Sequence, residues 1–327
     1  MIDLALMSKQ EKIIISVSLV AVLVVLAIFL NPTGGEKKAP SAPANVLASG
    51  GSGGSGNGQF NIPRDIALDK EGNIFVVDSK NNRIQKFNAA GVYTTGWGKM
   101  GDKNGEFKEP CGIDIDKAGN VYVTDTWNGR VEVFTGSGIF IRQMGKDKGM
   151  WGPRDAAVDI NGNVYVSDTG NCKILKFDNT GKLVATYGKK GRGKLEFQEP
   201  FGIKAAKDGN IYILDRKNYR IQGMTPNGQY VREIKIDGWS EGQIVNGCLM
   251  EPYFDMDPAG KFFYVSDSTN HRVIRYSFDG SKKKIFAKDK AGKAMFSCPQ
   301  GVAVTGDKRI MVTDTSLNKL ITFSDME

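Results

Sequence analysis

Histidine is nearly missing from this sequence: among 327 residues only His271 carries an imidazole. A lone histidine cannot build a histidine-cluster metal centre, and no Glu or Asp constellation stands near it in sequence. Cysteine is also scarce, with Cys111, Cys172, Cys248 and Cys298 spread along the chain and no CxxC pair. That excludes a haem-attachment motif, a zinc ribbon and a dithiol redox centre. Charge is absent over residues 13–30, IIISVSLVAVLVVLAIFL.

Eighteen uncharged residues at ~1.5 Å each just span the hydrocarbon of a bilayer. The run exceeds a typical signal-peptide apolar segment. The small-x-small triplet Ala42-Pro43-Ala44 lies far beyond its end, and no lipoprotein cysteine follows it. A retained signal anchor is expected, with a short tail at 1–12, a single membrane helix at 13–30 and a tether at 31–44. Lys9 and Lys12 on one side nearly balance Lys37 and Lys38 on the other. The N-terminal amine tips the positive-inside rule toward an inside N-terminus and an extracytoplasmic C-terminal domain.

What is abundant is glycine, 40 residues, which implies many tight turns and many short strands. The formal charge is +8, all of it beyond residue 30 because Lys9 and Lys12 cancel Asp3 and Glu11. Such a surface suits an anionic partner, or simply solubility.

An internal repeat settles the architecture. Pro63, Pro110, Pro153, Pro200, Pro252 and Pro299 are each followed fifteen residues later by Asp78, Asp125, Asp168, Asp215, Asp267 and Asp314. Nine residues beyond each aspartate comes a large apolar residue: Phe87, Phe134, Phe177, Met224, Tyr276 and Phe323. The prolines are spaced 47, 43, 47, 52 and 47 residues apart, so insertions fall between frames. Within a frame apolar residues alternate with period two, giving four strands and no helical stretch. The expectation is all-β: a six-bladed β-propeller of four-stranded blades over 45–327, preceded by one transmembrane helix.

After the second strand the six frames read Asp78-Ser-Lys-Asn81-Asn-Arg83, Asp125-Thr-Trp-Asn128-Gly-Arg130, Asp168-Thr-Gly-Asn171-Cys-Lys173, Asp215-Arg-Lys-Asn218-Tyr-Arg220, Asp267-Ser-Thr-Asn270-His-Arg272 and Asp314-Thr-Ser-Leu317-Asn318-Lys319. This turn resembles the NHL repeat over essentially everything after the tether; the last frame departs from it at Leu317. The repeated Asp and Asn are expected to stabilise turns rather than bind metal, with the Arg or Lys five residues after the Asp placed for a neighbouring carboxylate.

The sixth blade runs out at 323–327, and alignment of Pro63 on Pro110 places residues 45–49 on an outer strand. An N-terminal strand is therefore expected to close the ring and cover its open edge. The tether then reaches at most about 50 Å and averages nearer 20 Å, which keeps the propeller close to the bilayer.

The least repetitive residues fall at the end of the ring that bears the inter-blade loops, where repeat scaffolds bind. Arg64, Cys111, Arg154, Phe201, Tyr253 and Gln300 follow the prolines; Lys80, Trp127, Arg216 and Lys217 lie in the turns; Trp239 sits in the longest insertion, 237–250. Arg64, Lys80, Trp127, Arg154, Phe201, Arg216, Lys217, Trp239, Tyr253 and Gln300 form the expected binding face, built on aromatic and arginine anchors. Cys248 and Cys298 precede the prolines of adjacent blades, so an oxidising compartment would permit a disulfide between them. Cys111 and Cys172 read as free thiols.

Three functions compete. The first is a non-enzymatic protein-binding or scaffolding module on the outer side of the membrane, docking on a partner in or on that membrane and needing no cofactor. The second is an RNA-binding propeller, which requires a cytoplasmic ring and is disfavoured by the topology. The third follows from the resemblance: related propellers include lyases, which use channel histidines that this chain lacks, and lactonases. A lactonase-like hydrolase would hold a divalent ion with Asp65, Asp114, Asp155 and Asp255 in the channel, where hydrogen-bonded or solvated aspartates are the simpler expectation.

Overall fold

The computed structural model describes residues 53–236, 239, 248, 251–281, 283–289 and 292–325. The anticipated membrane helix at 13–30, tether at 31–44, closing strand at 45–49 and most of the insertion at 237–250 lie outside the described residues. Among the described residues no helix is long and apolar enough to cross a membrane.

Blade one is an antiparallel sheet of β1 (Pro63–Leu68), β2 (Ile74–Asp78), β3 (Arg83–Phe87) and β4 (Tyr93–Trp97), paired in sequence order. Blade two repeats it as β5 (Pro110–Ile115), β6 (Val121–Asp125), β7 (Arg130–Phe134) and β8 (Phe140–Met144). Blade three comprises β9 (Pro153–Val158), β10 (Val164–Asp168), β11 (Lys173–Phe177) and β12 (Leu183–Tyr187). A two-residue pair, β13 (Lys189–Lys190) with β14 (Glu196–Phe197), leads into blade four. That blade holds β15 (Pro200–Ala205), β16 (Ile211–Asp215), β17 (Arg220–Met224) and β18 (Tyr230–Lys235). Blade five is β19 (Phe254–Met256), β20 (Phe262–Asp267), β21 (Arg272–Ser277) and β22 (Lys283–Phe286). Blade six shows β23 (Pro299–Val304), β24 (Arg309–Asp314) and β25 (Lys319–Ser324) among the described residues.

The alternating apolar residues pack between blades. Six buried clusters each join two neighbours; Phe75, Val77 and Phe107 with Val121, Val123 and Phe134 fill the space between blades one and two. The last cluster joins Ile66, Val76 and Phe87 of blade one to Ala303, Met311 and Leu320 of blade six, so the ring closes. At that seam Thr313 Oγ1 donates to the Arg64 carbonyl at 2.6 Å, and Ile62 N–H donates to Asn318 Oδ1 at 2.9 Å. Gly53 bridges to Phe60 as Met100 bridges to Phe107, so the chain enters blade one along the path that elsewhere links one blade to the next.

Most repeat aspartates do more than brace their own turn. Asp78 accepts the Asn61 N–H on Oδ1 at 2.7 Å, and Asn81 Nδ2 and Arg83 Nε on Oδ2 at 2.9 and 2.7 Å. Asn81 Nδ2 also donates to the Gly54 carbonyl, so the turn is tied to the incoming inter-blade loop. The same bonds recur at Asp125, Asp215 and, in part, Asp168 and Asp267. Where the turn ends in arginine, that arginine therefore serves its own aspartate.

Blade five departs in register. The innermost strands of the other five blades carry a β-bulge just after the proline, as at Pro63 to Ile66; β19 pairs straight through, Phe254 to Val265. Tyr253 therefore occupies the place of Asp65 and Asp155: its N–H donates to Ser266 Oγ at 3.0 Å, as Asp155 N–H donates to Ser167 Oγ at 2.9 Å.

Candidate binding pocket on the loop face

The aspartates of the innermost strands are circumferential clamps. Asp65 accepts the Ile113 N–H of the next blade, Asp114 that of Val158, Asp155 that of Ile203 and Asp255 that of Val304, at 2.8–3.0 Å. Gly112 and Gly301 make room for this: a Cβ on either would stand 2.6 Å from the neighbouring Arg154 or Arg64 carbonyl. Lys204 is buried among the four carboxylates. Its burial opposes the charge, but Asp155, Asp65, Asp114 and Asp255 outweigh that and raise its pKa. Burial in turn pushes Asp65 and Asp255 up to about 6 despite Lys204. Among the described residues no three His, Cys, Asp or Glu side chains gather as metal ligands would.

Above this layer a polar plug crosses the channel. Glu251 Oε1 lies 3.1 Å from Arg154 Nη1, and Glu251 Oε2 lies 3.1 Å from Arg64 Nη1. The Cys111 sulfur accepts from Arg64 Nη1 at 2.7 Å and from Arg154 Nη1 at 3.3 Å. Burial works against the Arg64 charge, yet Cys111, Glu251 and Tyr253 more than compensate and its pKa rises. The segment bearing Glu251 is tied to blade six by the Cys248–Cys298 disulfide, whose Cα atoms are 5.7 Å apart. Cys111 and Cys172 are free and buried.

Over the plug, between blades two, three and four, lies a cavity of about 510 Å³ lined by Trp127, Trp151, Arg154, Lys190, Glu199, Phe201, Arg216, Lys217 and Glu251 with their neighbours. Local structure places each group. Trp127 rides the short turn Thr126–Asn128, and Arg216 and Lys217 ride the matching turn Arg216–Asn218. Arg154 and Phe201 follow the bulged prolines of β9 and β15. The Trp127 and Trp151 rings meet edge to face at 6.4 Å and remain 47% and 65% exposed. The Arg154 guanidinium sits 5.9 Å from the Trp127 ring and 5.4 Å from the Phe201 ring. Glu199 holds Lys217 at 2.6 Å and Arg216 at 2.5 Å. Desolvation would raise the Glu199 pKa, but these cations prevail and keep it lowered.

The ten expected face residues thus separate. Trp127, Arg154, Phe201, Arg216 and Lys217 come together in this cavity. Lys80 lies one blade away, paired with Glu109 at 2.6 Å. Arg64 belongs to the plug, Tyr253 lies beneath it, Gln300 is buried, and Trp239 is buried against the core shared by blades four and five. Residues outside the repeat frame were missed: Trp151, Lys190, Glu199 and Glu251. An available signal was the acid directly before a repeat proline, at Glu109, Glu199 and Glu251. His271 stands apart in the turn of blade five, its Nδ1 against the Ser297 carbonyl.

The NHL repeat family pattern matches residues 60–87, 107–134 and 150–177, the first three blades. Among curated proteins no relative matches the chain. Solved structures share the fold at low identity. A Bacteroides thetaiotaomicron protein of unknown function aligns at 16% identity and TM-score 0.64, covering 86% of this chain and 75% of that one. Virginiamycin B lyase from Staphylococcus aureus, solved as a catalytically inactive variant with quinupristin, aligns at 14% and 0.57, covering 81% and 80%. A chain of the nidogen–laminin complex aligns at 19% and 0.54, covering 69% and 80%.

Proposed function

We propose that this NHL-repeat propeller is a docking subunit of a membrane or cell-envelope complex. Residues 13–30 anchor it, the ring faces the extracytoplasmic side, and the loop-face cavity receives a protein partner in or on the same membrane. The observation that carries the reading is the cavity wall, where two exposed indoles stand beside Arg154, Phe201, Arg216 and Lys217. Exposed tryptophan backed by half-buried, ion-paired arginine is the composition of interface hot spots. The uncharged run at 13–30 and the brief linker to residue 45 favour a partner within short reach of the bilayer. A Cys248–Cys298 disulfide fits an oxidising compartment.

A likeness to lyases at 14% identity carries the fold alone. The carboxylates of the cavity, Glu199 and Glu251, are each already held by two cations, which leaves them poor acid–base groups. Gentle detergent extraction of the native chain, followed by mass spectrometry, tests the docking role. A stoichiometric membrane-associated protein should co-purify with the wild type and be lost from the Trp127→Ala/Trp151→Ala double variant. Recovery of the chain alone, or a partner indifferent to both substitutions, would sink the reading.

A further inference from the structure

The Arg154 side chain is held on one side only. Its Nη1 faces Glu251 and Cys111, while Nε and Nη2 have no protein acceptor among the described residues. The Trp127 and Phe201 rings flank the guanidinium, at 5.9 and 5.4 Å from Cζ, and hold it in place. A planar guanidinium so fixed, with two adjacent N–H edges to spare, matches the two oxygens of a carboxylate. The cations lining the cavity, Arg154, Lys190, Arg216 and Lys217, outnumber its carboxylates, Glu199 and Glu251. Lys190 has no acidic partner within ion-pair distance among the described residues, and its strand is exposed. Beside these charges the Trp127–Trp151 pair offers an apolar shelf.

Resting on the docking role above, we propose that the cavity is a carboxylate receptor for an acidic peptide segment of the partner. Arg154 anchors an Asp or Glu side chain, Lys190 and Lys217 supply the surrounding positive field, and the tryptophans hold an adjacent apolar side chain. A cavity of about 510 Å³ takes a few side chains, whereas a nucleic-acid strand requires a groove that follows its backbone.

The test is calorimetric titration of the full-length chain in mild detergent with three probes: Ac-Gly-Asp-Phe-Asp-Gly-NH2, its asparagine counterpart and a hexameric oligouridylate. The acidic peptide should bind at least ~10-fold more tightly than the asparagine form, and Arg154→Gln should remove about that factor. Since Arg154 also braces the plug, Trp151→Ala and Lys190→Gln at exposed positions serve as second variants, each weakening binding by roughly 3-fold or more. Equal affinity for the two peptides, indifference to Trp151→Ala and Lys190→Gln, or tighter binding of the oligouridylate each overturn the proposal. Loss of the native partner from Trp127→Ala/Trp151→Ala without any preference for the acidic peptide overturns the carboxylate assignment and leaves the docking role standing. Retention of the partner by that double variant removes the docking role itself.

Discussion

Asp255 shows how one residue can serve assembly at an electrostatic cost. Its carboxylate accepts the Val304 N–H of the next blade at 2.8 Å, while burial pushes its pKa from 3.8 to about 6 even with Lys204 beside it. The raised pKa means that Asp255 stabilises the fold most fully below about pH 3.8, and that this contribution is lost as pH rises through about 6. Asn keeps an acceptor for Val304 but cannot ionise. Asp255→Asn should therefore gain on the wild type between pH 4 and pH 7, by ~1–3 kcal/mol at the upper end. Urea unfolding at both pH values measures it; a wild-type advantage that grows with pH would show that Lys204 over-compensates the burial. Gly112 and Gly301 belong to the same layer, admitting the backbone of the next blade where any side chain would collide.

Within the blade, the turn between the second and third strands joins the sheet to the loop arriving from its neighbour. In blade two the joint is fully buried: Arg130 binds Asp125 at 2.8 Å, Glu132 at 3.4 Å, and the Lys103 and Glu106 carbonyls at 2.8 and 2.7 Å. Arg130→Ala strands two buried carboxylates and should cost ~3–5 kcal/mol in chemical denaturation, which is the penalty for breaking a buried pair. Arg83→Ala, whose guanidinium is partly exposed, should cost less. If the two variants proved equal, burial would not be what gives the joint its strength. These elements were legible in the sequence because each aspartate sits at a fixed offset from a proline and its turn is chemically complete. The register of blade five was not legible. Pro252 and Asp267 keep the common spacing of fifteen, yet β19 lacks the bulge, and spacing alone cannot show where a residue is spent. That one missing bulge draws Tyr253 from the mouth into the channel.

At the scale of the ring, six apolar layers between blades make a closed scaffold. Sequence reading found Trp127, Arg154, Phe201, Arg216 and Lys217 because they are irregular residues at repeated positions. It missed Trp151 and Glu251 because they lie in connections, where no frame assigns a direction. Glu251 matters most, since it floors the cavity by bridging Arg64 to Arg154 from a segment pinned by the Cys248–Cys298 disulfide. Among the described residues the loop face of the ring thus has mixed aromatic and cationic character. The opposite end of the ring carries the short turns after the innermost strands, including exposed Ile160.

The proposed docking role requires this face to meet a protein partner at the membrane. Photo-crosslinking in intact cells tests it most directly, with p-benzoylphenylalanine replacing Trp151 in one strain and Ile160, at the far end of the ring, in another. A discrete adduct to one membrane-associated protein is expected from position 151 and none from position 160. No adduct from position 151, or the same adduct from both ends, would contradict it.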